Sequence, residues 1–408
     1  MSSAKCSSGT SDKDLSAIDY PSDFKTFATW EISLKIVIVI SIELVAVLGN
    51  VLVIVIIVQS KKMRTVTNYY IVNLAISDLS VACFSIWMHV VDDLTQGWVM
   101  GSFLCKFNPF LQITAMCASV FTLVAIAGDR FFAIMLPLRS RVTQRKVSVM
   151  IIIIWMAAIA IGMPVLFFYT YGERQWRNFF EGYCVEVWPS VRNKDGQCDA
   201  GLKSRSTYWI CVLVVLNWVP MLLMMVAYTV ILRRLHRGKK VAKSARLSIS
   251  VIQQRSKRRV VTMLFTILMG FIICAVPFQV AKLYELFSDL EDSSAVLPEW
   301  YNPVYFAAVT LLYTNSALNP ILYGGLNDNF RTGFKSIINK IFRRKTMFTT
   351  ASNANNMSRR SVVQGIQTDR RESQITILDD ANKNYVRANT ENNVNERTME
   401  FINEAYEQ

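Results

Sequence analysis

The chain has 408 residues, of which 52% are hydrophobic and 18% charged, where a soluble domain usually carries about a quarter charged residues. The apolar residues come in uninterrupted blocks, which argues against a soluble enzyme with one large core and for a membrane protein. The net charge of +14 then reads as loop charge rather than a nucleic-acid footprint, and two histidines with eight scattered cysteines argue against a zinc site.

In chain order, residues 1–33 lack the basic and apolar stretches of a cleaved leader, so the first span is expected to act as its own signal anchor. That span, Leu34–Val58, contains Gly49-Asn50 and is followed by Lys61, Lys62 and Arg64. The second, Tyr69–Val91, contains Leu74-Ala75-Ile76-Ser77-Asp78 and ends at Asp92 and Asp93. The third, Phe103–Ile134, opens near Cys105 and closes on Asp129-Arg130-Phe131, with Pro137-Leu138, Arg139, Arg141, Arg145 and Lys146 after it. The fourth, Val147–Tyr169, and the fifth, Tyr208–Leu232, contain no Asp, Glu, Lys or Arg. Between them lie Glu173, Glu181, Cys184, Glu186 and Cys198. Arg233 to Arg259 then holds eleven Lys and Arg with no Asp or Glu. The sixth span, Val260–Phe287, contains Phe271, Cys274 and Pro277 and leads to Asp289, Glu291, Asp292 and Glu299. The seventh, Tyr301–Gly325, contains Asn319-Pro320-Ile321-Leu322-Tyr323. Each stretch exceeds the ~20 helical residues that cross a bilayer.

Basic and acidic connections alternate, which predicts an extracellular N-terminus and a cytoplasmic C-terminus. The expected organisation is an extracellular N-terminus (1–33), a seven-transmembrane bundle (34–325), a membrane-surface helix (326–342) and a disordered cytoplasmic tail (343–408). The surface helix would turn Phe330, Phe334, Ile337, Ile338 and Ile341 inward. The absence of an internal repeat counts against an inverted-repeat transporter.

These motifs, in this order and in these spans, resemble a rhodopsin-like G-protein-coupled receptor over roughly Leu34 to Phe342. The run Ala118 to Ala127 ahead of Asp129-Arg130-Phe131 is similar to neuropeptide FF and related amidated-peptide receptors. Cys184-Val185-Glu186-Val187-Trp188-Pro189 resembles the second extracellular loop of neuropeptide Y- and tachykinin-like receptors.

The resemblance implies a plasma-membrane receptor, not an enzyme, that activates heterotrimeric G proteins. It makes Arg130 a latch beside Asp129, although an arginine at a membrane edge also simply snorkels to headgroups. Pro137, Leu138, Tyr228, Phe271, Pro277, Asn319, Pro320 and Tyr323 fall on its activation positions. Asp78, with Asn50, Ser119, Asn315, Ser316 and Asn319, forms either an oxygen cluster for an allosteric sodium ion or a structural hydrogen-bond network. No other cofactor is implied. Cys105 is expected to pair with Cys184 on the family pattern, with Cys198 as the rival; Cys198 otherwise either pairs with Cys6 or remains free. Pro164 and Pro220 join Pro277 and Pro320 as kink positions. Ala275 stands where relatives carry Trp, so the usual aromatic switch is missing.

Gln112 cannot supply the charge that amine ligands need, and no Lys between Leu283 and Phe334 could hold retinal. An extracellular peptide fits best, with His89, Asp92, Gln112, Glu186, Gln279, Tyr284, Glu285 and Tyr305 as candidate contacts. The outer acids suit a basic, RFamide-like peptide, though such acids also serve only to solvate a rim. Basic residues of the third inner loop suit membrane lipids as well as G protein. Ser361 and Ser373 resemble phosphorylation sites for kinases, leading to arrestin. The competing readings are a constitutively active receptor-like protein without its own ligand, and a small transporter.

Overall fold

The structure, a computed structural model, describes residues 16–20, 27–135, 143–190, 201–244, 248–291, 297–340 and 380–384. Pro137, Leu138, Cys6, Cys198, Ser361 and Ser373 lie outside the described residues. The chain parts into two compact units, Met1–Lys335 and Ser336–Gln408. Of the second, residues 336–340 and 380–384 are described, and both stretches are helical.

The first unit is a bundle of seven long helices. They are α1 (Thr29–Gln59), α2 (Val66–Leu94), α3 (Gly101–Met135), α4 (Gln144–Phe168), α5 (Leu202–Arg237, its helix running on to Ser244), α6 (Ser248–Glu291) and α7 (Tyr301–Leu326). A two-stranded antiparallel hairpin, β1 (Tyr169–Gln175) and β2 (Phe180–Glu186), follows α4 directly. Residues 328–340 form a further helix. Phe330 at its start is fully buried and stacks on Tyr323 at 5.3 Å.

Large apolar side chains cover the outside of the bundle: Leu44 and Leu48 on α1, Ile152 and Ile153 on α4, Leu222 and Val226 on α5. Water would not tolerate such a belt, and a bilayer does. Six helices, α1 to α6, are long and apolar enough to cross a membrane. The helix of the seventh expected span, α7, has the length at 26 residues but is more polar. Its Asn315, Ser316, Asn319, Tyr313 and Tyr323 are buried among other helices, so its polarity is spent on protein contacts.

Helix α3 packs against α2, α4 and α5, and α7 packs against α1 and α6. The α1–α7 approach is close because Gly49 has no side chain: a Cβ there would lie 2.7 Å from Pro320. Proline stands inside the helices at Pro164, Pro220, Pro277 and Pro320, as expected, and also at Pro109. Two helices carry π-turns, at Ala82–Ile86 in α2 and Cys211–Trp218 in α5. An all-apolar run hides such an insertion, because one extra residue per turn leaves the hydrophobic pattern unchanged.

Candidate functional site

At one end of the bundle the hairpin lies across the helices. A disulfide from Cys184 in β2 to Cys105 in α3 anchors it, in agreement with the family pattern. The Trp98 amide donates to the Gly182 carbonyl at 2.6 Å, tying the hairpin to the α2–α3 connection. Residues 16–20 pack on its turn: the Arg177 amide donates to Ile18 O at 3.0 Å, and the Tyr20 ring meets Trp176 and Phe179 edge-on.

Beneath the hairpin is a cavity of about 380 Å³. Its walls come from α2 (Met88, His89, Asp92), α3 (Asn108, Gln112), β2 (Tyr183, Cys184) and α7 (Tyr305, Val309, Tyr313). Four of the eight expected ligand residues, His89, Asp92, Gln112 and Tyr305, line it together. Gln112 donates to the Tyr313 hydroxyl at 3.0 Å. The His89 ring stacks on Phe306 at 4.6 Å, and its Nε2 is 3.3 Å from the Phe306 carbonyl. Asn108 Oδ1 is buried without a hydrogen-bond partner among the described residues.

The other four are placed differently. Tyr284 packs among Trp300 and Tyr301. Gln279 is fully buried and accepts a hydrogen bond from the Trp218 indole. Glu186 and Glu285 belong to an ionic cluster with Arg205, Lys282 and Asp289. Arg205, near the start of α5, meets Glu186 at 2.9 Å and also pairs with Glu285 and Asp289. Lys282 lies 3.0 Å from Glu285 and 3.8 Å from Glu186. Glu186 accepts further bonds from Tyr169, Trp188 (3.1 Å) and Trp209 (3.2 Å). Burial alone would raise the Glu186 carboxyl. The Lys282 charge, the Tyr169 hydroxyl and the Arg205 charge outweigh it and bring it down to about 2. Sequence reasoning missed Arg205 and Lys282, and counted Asp289 only among the outer acids. The available signal was Lys282 itself, a cation inside an apolar span three residues before an acid.

In the middle of the bundle Asn319 donates to Asp78 at 2.8 Å, and Asn50 donates to the Ser316 carbonyl at 2.9 Å. Asp78, Asn50, Ser316 and Asn319 therefore meet, and Ser119 and Asn315 are buried as well. A second chain, Trp155 to Asn73 (2.8 Å) to Thr122 (2.7 Å), crosslinks α4, α2 and α3.

At the far end of α3, Arg130 lies 2.9 Å from Asp129 and donates to Thr67 of α2. The charge contact with Asp129 is close, but its alignment falls short of a hydrogen bond. Arg130 Nε and the hydroxyls of Tyr228 and Tyr323 are buried without hydrogen-bond partners among the described residues. Phe271 is buried in α6.

Known proteins carry the same pattern. The family model described as the 7 transmembrane receptor (rhodopsin family) matches residues 49–323. The substance-P receptor of Rattus norvegicus is 33% identical over 307 residues, 75% of this chain and 71% of that protein. The neuromedin-K receptor of Homo sapiens is 33% identical over 310 residues, 76% of this chain and 61% of that protein. The tachykinin-like peptides receptor 99D of Drosophila melanogaster is 32% identical over 295 residues, 72% and 54% of the two chains. With seven helices in this arrangement and a family match across most of them, the chain belongs to the rhodopsin family of seven-transmembrane receptors.

Proposed function

We propose that this receptor binds an extracellular peptide of the tachykinin class in the cavity under the hairpin and answers by activating a heterotrimeric G protein at the Arg130 end. One observation carries the reading: the roofed cavity and the Asp129–Arg130 pair stand at opposite ends of one helix, α3. Twenty-five residues separate Cys105 from Arg130, roughly 37 Å of helix. Binding at one end reaches the other only through helix packing.

The N-terminus is then extracellular and the C-terminus cytoplasmic, at the plasma membrane. The basic connections support this, as does the disulfide, which an oxidising compartment would form. Arg130, Tyr228 and Tyr323, with Pro137 and Leu138, serve coupling, and Pro277 and Pro320 bend the helices that move. Oxygens of Asp78, Ser119, Asn315 and Ser316 suit a sodium ion, and the buried Asn50 Oδ1, without a partner among the described residues, adds a donor of the same hard type. Ser361 and Ser373 serve receptor kinases and arrestin, and the basic inner segments and helix 328–340 meet membrane lipids.

A basic RFamide-like ligand is the second reading, on the strength of the outer acids. Two of those acids already face Arg205 and Lys282, which favours the tachykinin class. Cells expressing the receptor with a promiscuous G protein should respond to substance P or neuromedin K dose-dependently, and Gln112→Ala should weaken potency at least ten-fold. A response confined to RFamide peptides would transfer the proposal to them. Silence toward both sets, with high unstimulated exchange, would return it to a constitutive signaller.

A further inference from the structure

Helix α5 changes its winding where it faces α6. The π-turn Cys211–Trp218 moves the backbone bonds from i+4 to i+5 spacing, and the Asn217 side chain adds one more bond inside it. Its amide donates to the Val212 carbonyl, five residues back, at 2.7 Å. Asn217 is fully buried, so this bond is made out of water. The turn ends at Trp218, whose indole N–H donates to Gln279 Oε1 on α6.

Gln279 stands two residues beyond Pro277, the proline inside α6. Pro277 has no N–H for the Ile273 carbonyl, so the helix is weakest there and bends most easily. One turn below Gln279 on the same face is Ala275, buried, with only a methyl to offer a neighbour. Gln279 has no exposed surface, and its Nε2 has no partner among the described residues. A wholly buried amide half-satisfied by one indole is costly unless it positions something.

We propose that the Trp218–Gln279 bond is the tether that fixes the bend of α6 at Pro277, holding the segment beyond the hinge to α5 where Ala275 provides no anchor of its own. Trp218 and Gln279 are positioning residues: they set where α6 lies and touch no reacting group. The inference rests on the receptor reading in supposing that α6 has two positions.

The test is a spin-label distance measurement on the full chain, with labels introduced as unnatural amino acids at the exposed positions 233 and 258 on α5 and α6. Trp218→Phe removes the N–H and keeps the ring; Gln279→Leu removes the acceptor at similar volume. Each should raise the ratio of longer to shorter separations about five-fold, the expected effect of losing one hydrogen bond. The double variant should go no further than either single one. An unchanged distribution, an inward shift, or additive shifts would overturn the tether. The measurement needs neither ligand nor G protein, so a receptor deaf to substance P would defeat the peptide reading without deciding this one.

Discussion

The two ends of the bundle treat buried charge in opposite ways. At the disulfide end, Glu186 has ion-pair or hydrogen-bond contacts with Arg205, Lys282, Tyr169, Trp188 and Trp209, and Glu285 has Arg205, Lys282 and Tyr301. At the other end, among the described residues, Arg130 Nε and the buried hydroxyls of Tyr228 and Tyr323 have no hydrogen-bond partner. A saturated cluster resists rearrangement, because each movement exposes a charge in low dielectric. An unsaturated one is held by fewer polar contacts, here Arg130 with Asp129 and Thr67, and gains when water or a protein partner supplies the missing bonds. The first end is built to hold a shape and the second to change one.

The largest effect expected of this contrast is at Arg205. Arg205→Ala leaves Glu186 and Glu285 with Lys282 as their one described ionic partner and removes the described ion pair of Asp289, and should lower unfolding stability by about 3–5 kcal/mol, read as a lower melting temperature of purified receptor. A melting temperature within a degree of the parent would show that the cluster holds nothing. Next comes the disulfide. Cys105→Ser frees the hairpin over 79 residues of sequence separation and should cost about 2–4 kcal/mol, with faster hydrogen exchange in β1 and β2. Exchange unchanged in the hairpin would mean that Trp98 and the ionic cluster suffice to hold it.

A smaller effect follows from pH. The Glu186 carboxyl sits at about 2 in the folded chain, below its usual 4.5. Its contribution is therefore fully present above 4.5 and is lost as the pH falls from there toward 2. Melting temperature should be flat between pH 7 and 5 and fall below 4.5, and Glu186→Gln should flatten that fall. The smallest stability effect is expected at the opposite end. Tyr228→Phe and Tyr323→Phe remove hydroxyls that make no bond among the described residues, so each should change stability by under about 0.5 kcal/mol. Agonist-stimulated nucleotide exchange should nevertheless drop several-fold. A large loss of stability in either variant would show that the hydroxyl is already bonded, and the contrast between the ends would disappear.

Much of this was legible in the sequence because it is written in contiguous runs. Apolar length marks six helices, and Asp129-Arg130 and Asn319-Pro320 mark where α3 and α7 end or bend. The Asp78–Asn319 contact was expected from the family resemblance, and it agrees with the cost of burying either polar group alone. What depended on distant segments meeting was not legible. Arg205 finds Glu285 across 80 residues, and nothing local to either announces the pair, so Glu285 looked like a free acid awaiting a ligand. The hairpin was hidden for a different reason: its strands bury little and carry no alternating pattern strong enough to separate them from a loop. Pro109 stands more than two turns into α3 and denies the Cys105 carbonyl its usual donor, yet nothing in the apolar run around it sets it apart.

The polar make-up of α7 reaches back to how the receptor is made. A segment with so many asparagines and tyrosines is poorly favoured by lipid on its own, so its entry from the translocation machinery has to be helped by helices already waiting in the bilayer. Its inward surface is also the one that carries Asn315, Ser316 and Asn319. The side chains that make α7 reluctant to insert are therefore those that reward it once inserted, which couples its insertion to assembly of the polar centre.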